Sequence, residues 1–311
     1  MPIHLPPLTR RRFLAGALAG AGVLLNRPAF CADTPTDPNR WVLLSDLHIW
    51  ERRNGERRGV KPAEHLAQAV KEVLALAPRP VGIIVSGDCA YLTGERADYA
   101  VLADLIKPLR EAGIPLHMVL GNHDHRENFW AAFPETKPQQ PQVSDKSVAV
   151  VETGHANWFL LDSLEKTDAT PGLLGKEQLE WLAKALSARA DKPALVVGHH
   201  NLAGPAGLRD AEDLLKLIAD HKQVKAYVYG HTHQWGVVRQ RGIHFVNVPT
   251  TAWVFAKEQP QGWVDVTLRK EGATLVHNAL DKQHPKHGER VELSWNQADA
   301  PAKPAAAKAG A

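Results

Sequence analysis

The sequence predicts an α/β fold: a four-layer αββα sandwich of two mixed β-sheets flanked by helices. Three observations carry this. Short apolar runs alternate with helical patterns through the first half, as strands and crossover helices of a largely parallel sheet do. The second half brings short turns between apolar runs, which mark antiparallel pairs. Helical patterns continue among these later strands, so each sheet has helices for its outer face.

In chain order, "WVLLSD" from Trp41 reads as a buried strand. Residues Pro62 to Ala77 read as a helix opened by proline, whose missing N–H is harmless in a first turn. "VGIIVSGD" is the second strand, and Ala97 to Ala112 a helix closed by Gly113. "PLHMVLGNHD" is the third strand. Beyond the proline-rich "KPQQPQ", the runs "SVAVVE" and "NWFLLDS" are close enough to pair antiparallel. Lys176 to Arg189 is a helix, "PALVVGHH" a strand, Ala211 to His221 a helix and "KAYVYGH" a strand. "GVVRQ" and "IHFVNVP" make a hairpin about Arg241–Gly242, and "GWVDVTLRK" and "ATLVHNAL" another about Glu271–Gly272. The folded domain is expected over residues 40–280, with 281–311 a tail. Its end, "DAPAKPAAAKAGA", has no core residues and is expected to be disordered.

The first 32 residues read differently. Arg10, Arg11 and Arg12 precede a short apolar run from Phe13 to Leu25, below the roughly 20 residues of a membrane span. With Phe13 and Leu14, the arginine pair resembles a twin-arginine export signal. The expected partner is therefore the twin-arginine export machinery, the expected location the periplasm, and no stable membrane anchor is expected. The segment carries four arginines and no acid, so without it the formal net charge of +3 becomes −1. That balance argues against nucleic acid as a partner. Two cysteines, with Cys31 beside the expected cleavage point, exclude a disulfide framework.

The functional signal lies at the strand ends. "LLSDLH" ends with Asp46 and His48, "IIVSGD" with Asp88 and "MVLGNHD" with Asn122 and His123. "LVVGHH" ends with His199 and His200, and "YVYGHTH" with His231 and His233. A lone Asp after a strand is usually a turn former, and a lone His usually a hydrogen-bonded residue. Five strands ending alike are another matter, because sites in α/β sheets form at the carboxyl ends of strands. Imidazole, carboxylate and amide ligands suit Zn, Mn, Fe or Co. The ligands are too many for one ion. Two ions roughly 3.5–4 Å apart would clamp a phosphate ester and lower the pKa of a water between them towards neutrality.

These motifs, D-x-H, G-D, G-N-H-D, G-H-H and G-H-T-H in this order, resemble those of the calcineurin-like metallophosphoesterases. The resemblance runs from Trp41 to Leu280 and implies the same four-layer sandwich. It implies that Asp46, His48 and His233 hold one metal, that Asp88 bridges, and that Asn122, His199 and His231 hold the other. His123 is implied to stabilise the phosphoryl charge or protonate the leaving oxygen, with Asp124 accepting its other N–H. His199 is preferred over His200, because the first His of the motif is the usual ligand. Tyr91 stands where purple acid phosphatases carry a tyrosinate. Those enzymes lack the His of D-x-H, present here as His48, so Tyr91 reads as support or packing.

The expected function is hydrolysis of a small phosphorylated substrate, a phosphodiester slightly favoured because "GDCAYLTGERADY" resembles the cyclic-nucleotide and glycerol phosphodiesterase branch. A phosphomonoesterase or nucleotidase is the alternative on the same site. A non-catalytic metal- or phosphate-binding envelope protein is the alternative of another class. "ERRNGERR" could attract an anion, but a solvated loop is the simpler reading. Trp253 and Trp263 could wall a pocket or fill the core. The oligomeric state is not legible.

Overall fold

The computed structural model describes residues 34–138 and 141–296. The expected export signal and the end of the tail lie outside them. Strand β1 (Thr36–Leu44) pairs in parallel with β2 (Arg79–Val85), and β2 with β3 (Leu116–Met118). On the other side of β1 stand β10 (Gly262–Arg269), β11 (Gly272–Ala279) and β12 (Arg290–Ser294), all antiparallel. The second six-stranded sheet has the order β4-β5-β6-β7-β9-β8. It comprises β4 (Ala149–Glu152), β5 (Asn157–Leu160), β6 (Ala194–Val197), β7 (Val224–Tyr229), β8 (Gly236–Gln240) and β9 (Ile243–Asn247). Strands β5, β6, β7 and β9 are parallel; β4 and β8 close the edges antiparallel.

Alternation within each strand builds the layers, because successive side chains point to opposite faces. Trp41 and Leu43 of β1 join Leu195 and Val197 of β6 in a core between the sheets. Val42 and Leu44 face the other way, onto α1 (Pro62–Leu74) and α2 (Arg96–Glu111) through Leu66, Val70, Leu102 and Leu105. On the far side, Val196 and Tyr227 pack against α4 (Lys176–Ser187) and α5 (Ala211–Asp220) through Leu182, Leu214 and Ile218. Three apolar interfaces between two helical and two sheet layers make the four-layer sandwich expected from sequence.

Two elements were not legible. The seven-residue α3 (Arg126–Ala132) follows the "GNHDH" loop, with His125 accepting from Asn128 N at its start. Strand β12 lies in the segment read as tail. It pairs with β11 and is followed by buried Trp295, so packed structure continues past residue 280. Its alternation in "RVELS" is too short and too polar to stand out from its surroundings. The regular ladder of β3 is also shorter than its apolar run, with one further bond from Val119 N to Val85 O. Among the described residues no helix is long and apolar enough to cross a membrane.

Candidate metal centre

The carboxyl ends of β1, β2, β6 and β7 and the loop after β3 meet at one place. Asp46, His48 and His233 form one group of mutually close ligand atoms, and Asp88, His199 and His231 a second. Asp88 joins the groups: its Oδ2 lies 3.3 Å from His199 Nε2 and 3.7 Å from His48 Nε2. His200 belongs to neither group: its Nδ1 lies 2.7 Å from Ser163 Oγ, and its ring packs 4.8 Å from that of His231. Two glycines of the motifs have a steric reason. A Cβ on Gly121 would collide with the Asp88 carboxylate, and one on Gly230 with Ser45 and Asp46.

Backbone carbonyls aim the imidazoles. The Nδ1 of His48 lies 3.2 Å from Tyr91 O, that of His199 2.7 Å from Ser86 O, and that of His233 2.5 Å from Trp253 O. A carbonyl only accepts, so each Nδ1 carries the proton and each Nε2 is turned inward as a potential ligand. His48 Nε2 and His233 Nε2 stand 3.1 Å apart. Five of the candidate ligands, Asp46, His48, Asp88, His231 and His233, sit at positive φ between 46° and 66°. Such non-glycine conformations cost roughly 1–3 kcal/mol each and persist where surrounding structure imposes them.

Burial and charge set the protonation. Burial raises Asp46, but the charge and hydrogen bond of His233, with the charge of His199, bring it down to about 2. Burial raises Asp88 too, yet His199 holds it well below the carboxylate range. Burial lowers His48 to about 3 and His231 to about 4, the latter helped by His199. Burial opposes protonation of His199 and His233 as well, but Asp88 raises the first to about 9 and Asp46 raises the second. Without metal, two protons thus offset the buried carboxylates. Even so, the buried Asn122 Oδ1 has no hydrogen-bond partner among the described residues. Inward-turned imidazole nitrogens and an unsatisfied amide oxygen around two ionised carboxylates fit divalent cations.

His123 lines the cleft beside these groups, its ring 5.3 Å from that of His48. Its backbone N–H donates to Asp88 Oδ1 at 2.9 Å. Asp124 does not orient it, contrary to expectation. The Asp124 oxygens accept from Gly121 N, Cys89 N, Ala90 N and the Tyr99 hydroxyl. These four donors turn the buried carboxylate towards the loop backbones, tying the end of β2 to the "GNHD" loop. Burial and then Asp88 raise its pKa to about 6. The orienting partners of His123 Nδ1 are Leu92 O at 2.9 Å and the Asp168 carboxylate at 3.4 Å. No motif marks either residue. Asp168 lies far along the chain in a loop, its backbone N bonded to Asn122 O. Tyr91 supports His48 through its carbonyl and stacks its ring on Trp50. Trp253 lines the cleft and stacks on His48, whereas Trp263 is buried and donates to Glu72.

The cleft has a volume of about 560 Å³. On one side of the ligands it is walled by Arg57, Arg58 and Phe255, and by the Asn201–Ala206 loop.

Residues 40–235 match the family model of the calcineurin-like phosphoesterases. The chain is 31% identical over 223 residues to a 3',5'-cyclic adenosine monophosphate phosphodiesterase, CpdA, of Pseudomonas aeruginosa, covering 69% of this chain and 77% of the relative. It is 27% identical to a probable glycerophosphodiester phosphodiesterase, GpdQ, of Arcobacter nitrofigilis, covering 74% and 81%. Its fold is similar to that of a dimetal phosphatase from Danio rerio, with a TM-score of 0.63 at 15% identity, covering 83% of this chain and all of the other.

Proposed function

The chain belongs to the calcineurin-like phosphoesterase family and is a metal-dependent phosphoesterase; from that premise we propose that it is an exported hydrolase of small phosphodiesters, cyclic nucleotides foremost, working with two metal ions. One observation carries the two-metal reading: Asp88 stands within reach of a histidine from each of two adjacent buried ligand groups. The cyclic-nucleotide preference is supported by the names of the relatives, three of which are cyclic AMP phosphodiesterases.

Asp46, His48 and His233 would hold one ion, and Asn122, His199 and His231 the other, with Asp88 between them. When bound, the pair supplies neutralisation of phosphoryl charge and a nucleophile drawn from water. The chain's own residues do the rest. The carbonyls of Tyr91, Ser86 and Trp253 fix the ligand rings, so little reorganisation accompanies the reaction. Leu92 O holds the Nδ1 proton of His123, which leaves Nε2 to face the cleft. From there a protonated Nε2 gives its proton to the departing alkoxide oxygen, or stabilises the phosphoryl charge. Trp253, stacked on His48, packs the ligand ring from the cleft side.

The deciding experiment pairs elemental analysis with a substrate panel of cyclic nucleotides, glycerophosphodiesters, nucleotides, sugar phosphates and aryl mono- and diesters. Close to two metal equivalents and preferential turnover of diesters are expected. A single equivalent under saturating metal removes the two-metal reading, and preferential cleavage of monoesters removes the diester reading. Export rests on Arg10 and Arg11 with Phe13 and Leu14. Changing both arginines to lysine should keep the protein out of the periplasm of a bacterial host, because the route reads the arginine pair. Undiminished export of that variant would show the general secretory route instead.

A further inference from the structure

Residues Arg57–Val60 form a two-residue hairpin turn. Arg57 N donates to Val60 O at 2.8 Å and Val60 N to Arg57 O at 3.1 Å, with Arg58 and Gly59 at φ of 52° and 78°. Arg241 and Gly242, between β8 and β9, have φ of 52° and 77°, so this conformation is ordinary for a hairpin. What distinguishes Arg58 is where the tip stands. It lines the cleft that holds His48, Asp88 and His233. Its guanidinium carbon lies 5.2 Å from the centre of the Phe255 ring, and Phe255 stacks at 4.4 Å on His233. A three-layer stack therefore leads from a candidate metal ligand out to an arginine.

That arginine is unspent. Arg40, Arg126 and Arg209 each hold a carboxylate at 2.6–2.9 Å. Among the described residues, neither Arg57 nor Arg58 has a carboxylate partner. Phe255 is 59% exposed, although large apolar side chains are mostly buried in this chain. The cation–π contact with this ring uses none of the Arg58 guanidinium N–H groups as hydrogen-bond donors to a carboxylate and so leaves them for a ligand. Such donors match two adjacent hydrogen-bond acceptors in a fork. The Asn201 side-chain amide on the cleft wall is engaged, since its Nδ2 donates to Ala203 O.

We propose that Arg58, carried on Phe255, is a specificity-determining residue that reads a pair of adjacent hydrogen-bond acceptors on the alcohol portion of the substrate, outside the metal groups. The proposal rests on the phosphodiesterase reading above. Two sources supply that chemistry in a nucleotide diester: the O6 and N7 edge of guanine, or a second phosphate. Cyclic GMP against cyclic AMP tests the first source. A dinucleotide with and without a 5'-phosphate, pApA against ApA, tests the second.

The variant of choice is Arg58→Asn, because asparagine accepts the left-handed backbone of this turn position without its side chain reaching as far. Steady-state kinetics of the metal-loaded enzyme should show the acceptor-bearing member of one pair favoured about tenfold in KM, with kcat alike. Arg58→Asn should erase that preference while leaving metal content and kcat unchanged. Arg58→Lys, which keeps the charge but not the fork, should lose a guanine preference and retain part of a phosphate preference. Absence of preference in both pairs overturns the proposal. So does a preference that survives Arg58→Asn, and one that disappears only in the Arg57→Asn/Arg58→Asn double variant moves the role to Arg57. Equilibrium binding of non-hydrolysable methylene-phosphonate analogues separates this proposal from its premise. Selective binding without turnover of any diester would sink the phosphodiesterase reading and leave Arg58 standing; turnover without selectivity would do the reverse.

Discussion

The floor of the cleft and its mouth are built by opposite means. On the floor, Asp46, His48, Asp88, Asn122, His199 and His233 are all buried, and the Nδ1 atoms of His48, His199 and His233 are pinned on carbonyls. Five ligands there hold left-handed backbone. At the mouth, Phe255 and Leu92 are exposed and Arg58 rests on an aromatic ring with no acid among the described residues to hold it. A floor under that much local strain persists only because two packed sheets impose it, and any rearrangement would propagate into them. Its chemistry, binding cations and attacking phosphorus, is common to phosphate esters of every kind. The mouth has no such support and can change residue by residue without unfolding the sheets. On the proposed reading, choice of ester therefore belongs to the mouth, and capacity to cleave to the floor.

The largest effect that would test this division comes from Asp88→Asn. The amide occupies nearly the same volume but has no charge to hold two cations together. Metal content and activity should fall together, by more than the roughly 10–100-fold that follows loss of a group merely supporting a ligand. Elemental analysis beside kinetics checks it. Retention of both metals would make Asp88 a structural residue and leave the floor without its bridge.

His123→Ala should be smaller and different in kind. On the proposed assignment the ring is no ligand, so both metals should stay while the rate falls by about 10²–10⁴. The fall should be steepest for alkyl esters, whose alkoxide needs a proton, and least for nitrophenyl esters, whose anion leaves unaided. Equal losses on both would assign His123 to stabilising charge rather than protonating the leaving oxygen, and loss of metal would place it among the ligands.

The same division separates what was legible in the sequence from what was not. Layers and candidate ligands were legible because they follow from local pattern: alternation sets which face of β1 meets which layer, and the candidate ligands sit at the ends of apolar runs, with a glycine nearby at every strand except β1. The partners of those ligands were not. Tyr91, Ser86, Leu92 and Trp253 act through their carbonyls, which every residue possesses, so no residue type betrays them. Asp124 was assigned to His123 through the family resemblance, yet its side chain turns to Gly121 and the end of β2. Asp168 lies 45 positions beyond His123, and only the folded loop brings them together. Arg58 was legible as a charge but not as an occupant of the cleft, since a basic loop reads the same whether it meets substrate or water.

The floor also predicts how metal binding depends on pH. In the metal-free protein His199 keeps its proton up to about 9, and His233 is raised as well. A cation must displace these protons, so affinity should climb as pH rises from 6.5 and level off above 9, by about tenfold per unit for each proton released. His48 and His231, lowered to about 3 and 4, are neutral throughout that range and add no slope. Competition with a chelating dye at several pH values measures this directly. Affinity that is flat from pH 6 to 9 would mean that the two carboxylates do not hold protons on their histidines.

The smallest expected effect sharpens the comparison most, because one residue belongs to both regions. Leu92 supplies the floor with a backbone carbonyl, which holds His123 Nδ1 at 2.9 Å, and the mouth with a side chain that is 43% exposed in the cleft. Leu92→Ala removes the second and keeps the first. The side chain is outside the core, so thermal stability should change by no more than about 0.5 kcal/mol. The carbonyl still orients His123, so kcat and metal content should hold. What remains is apolar contact with the substrate's alcohol portion, whose partial loss should raise KM by a few-fold. It should do so more for nucleoside diesters than for methyl esters too small to reach the rim. A fall in kcat with KM unchanged would mean that the side chain sets the loop that carries the carbonyl, and that floor and mouth are not separable at this residue.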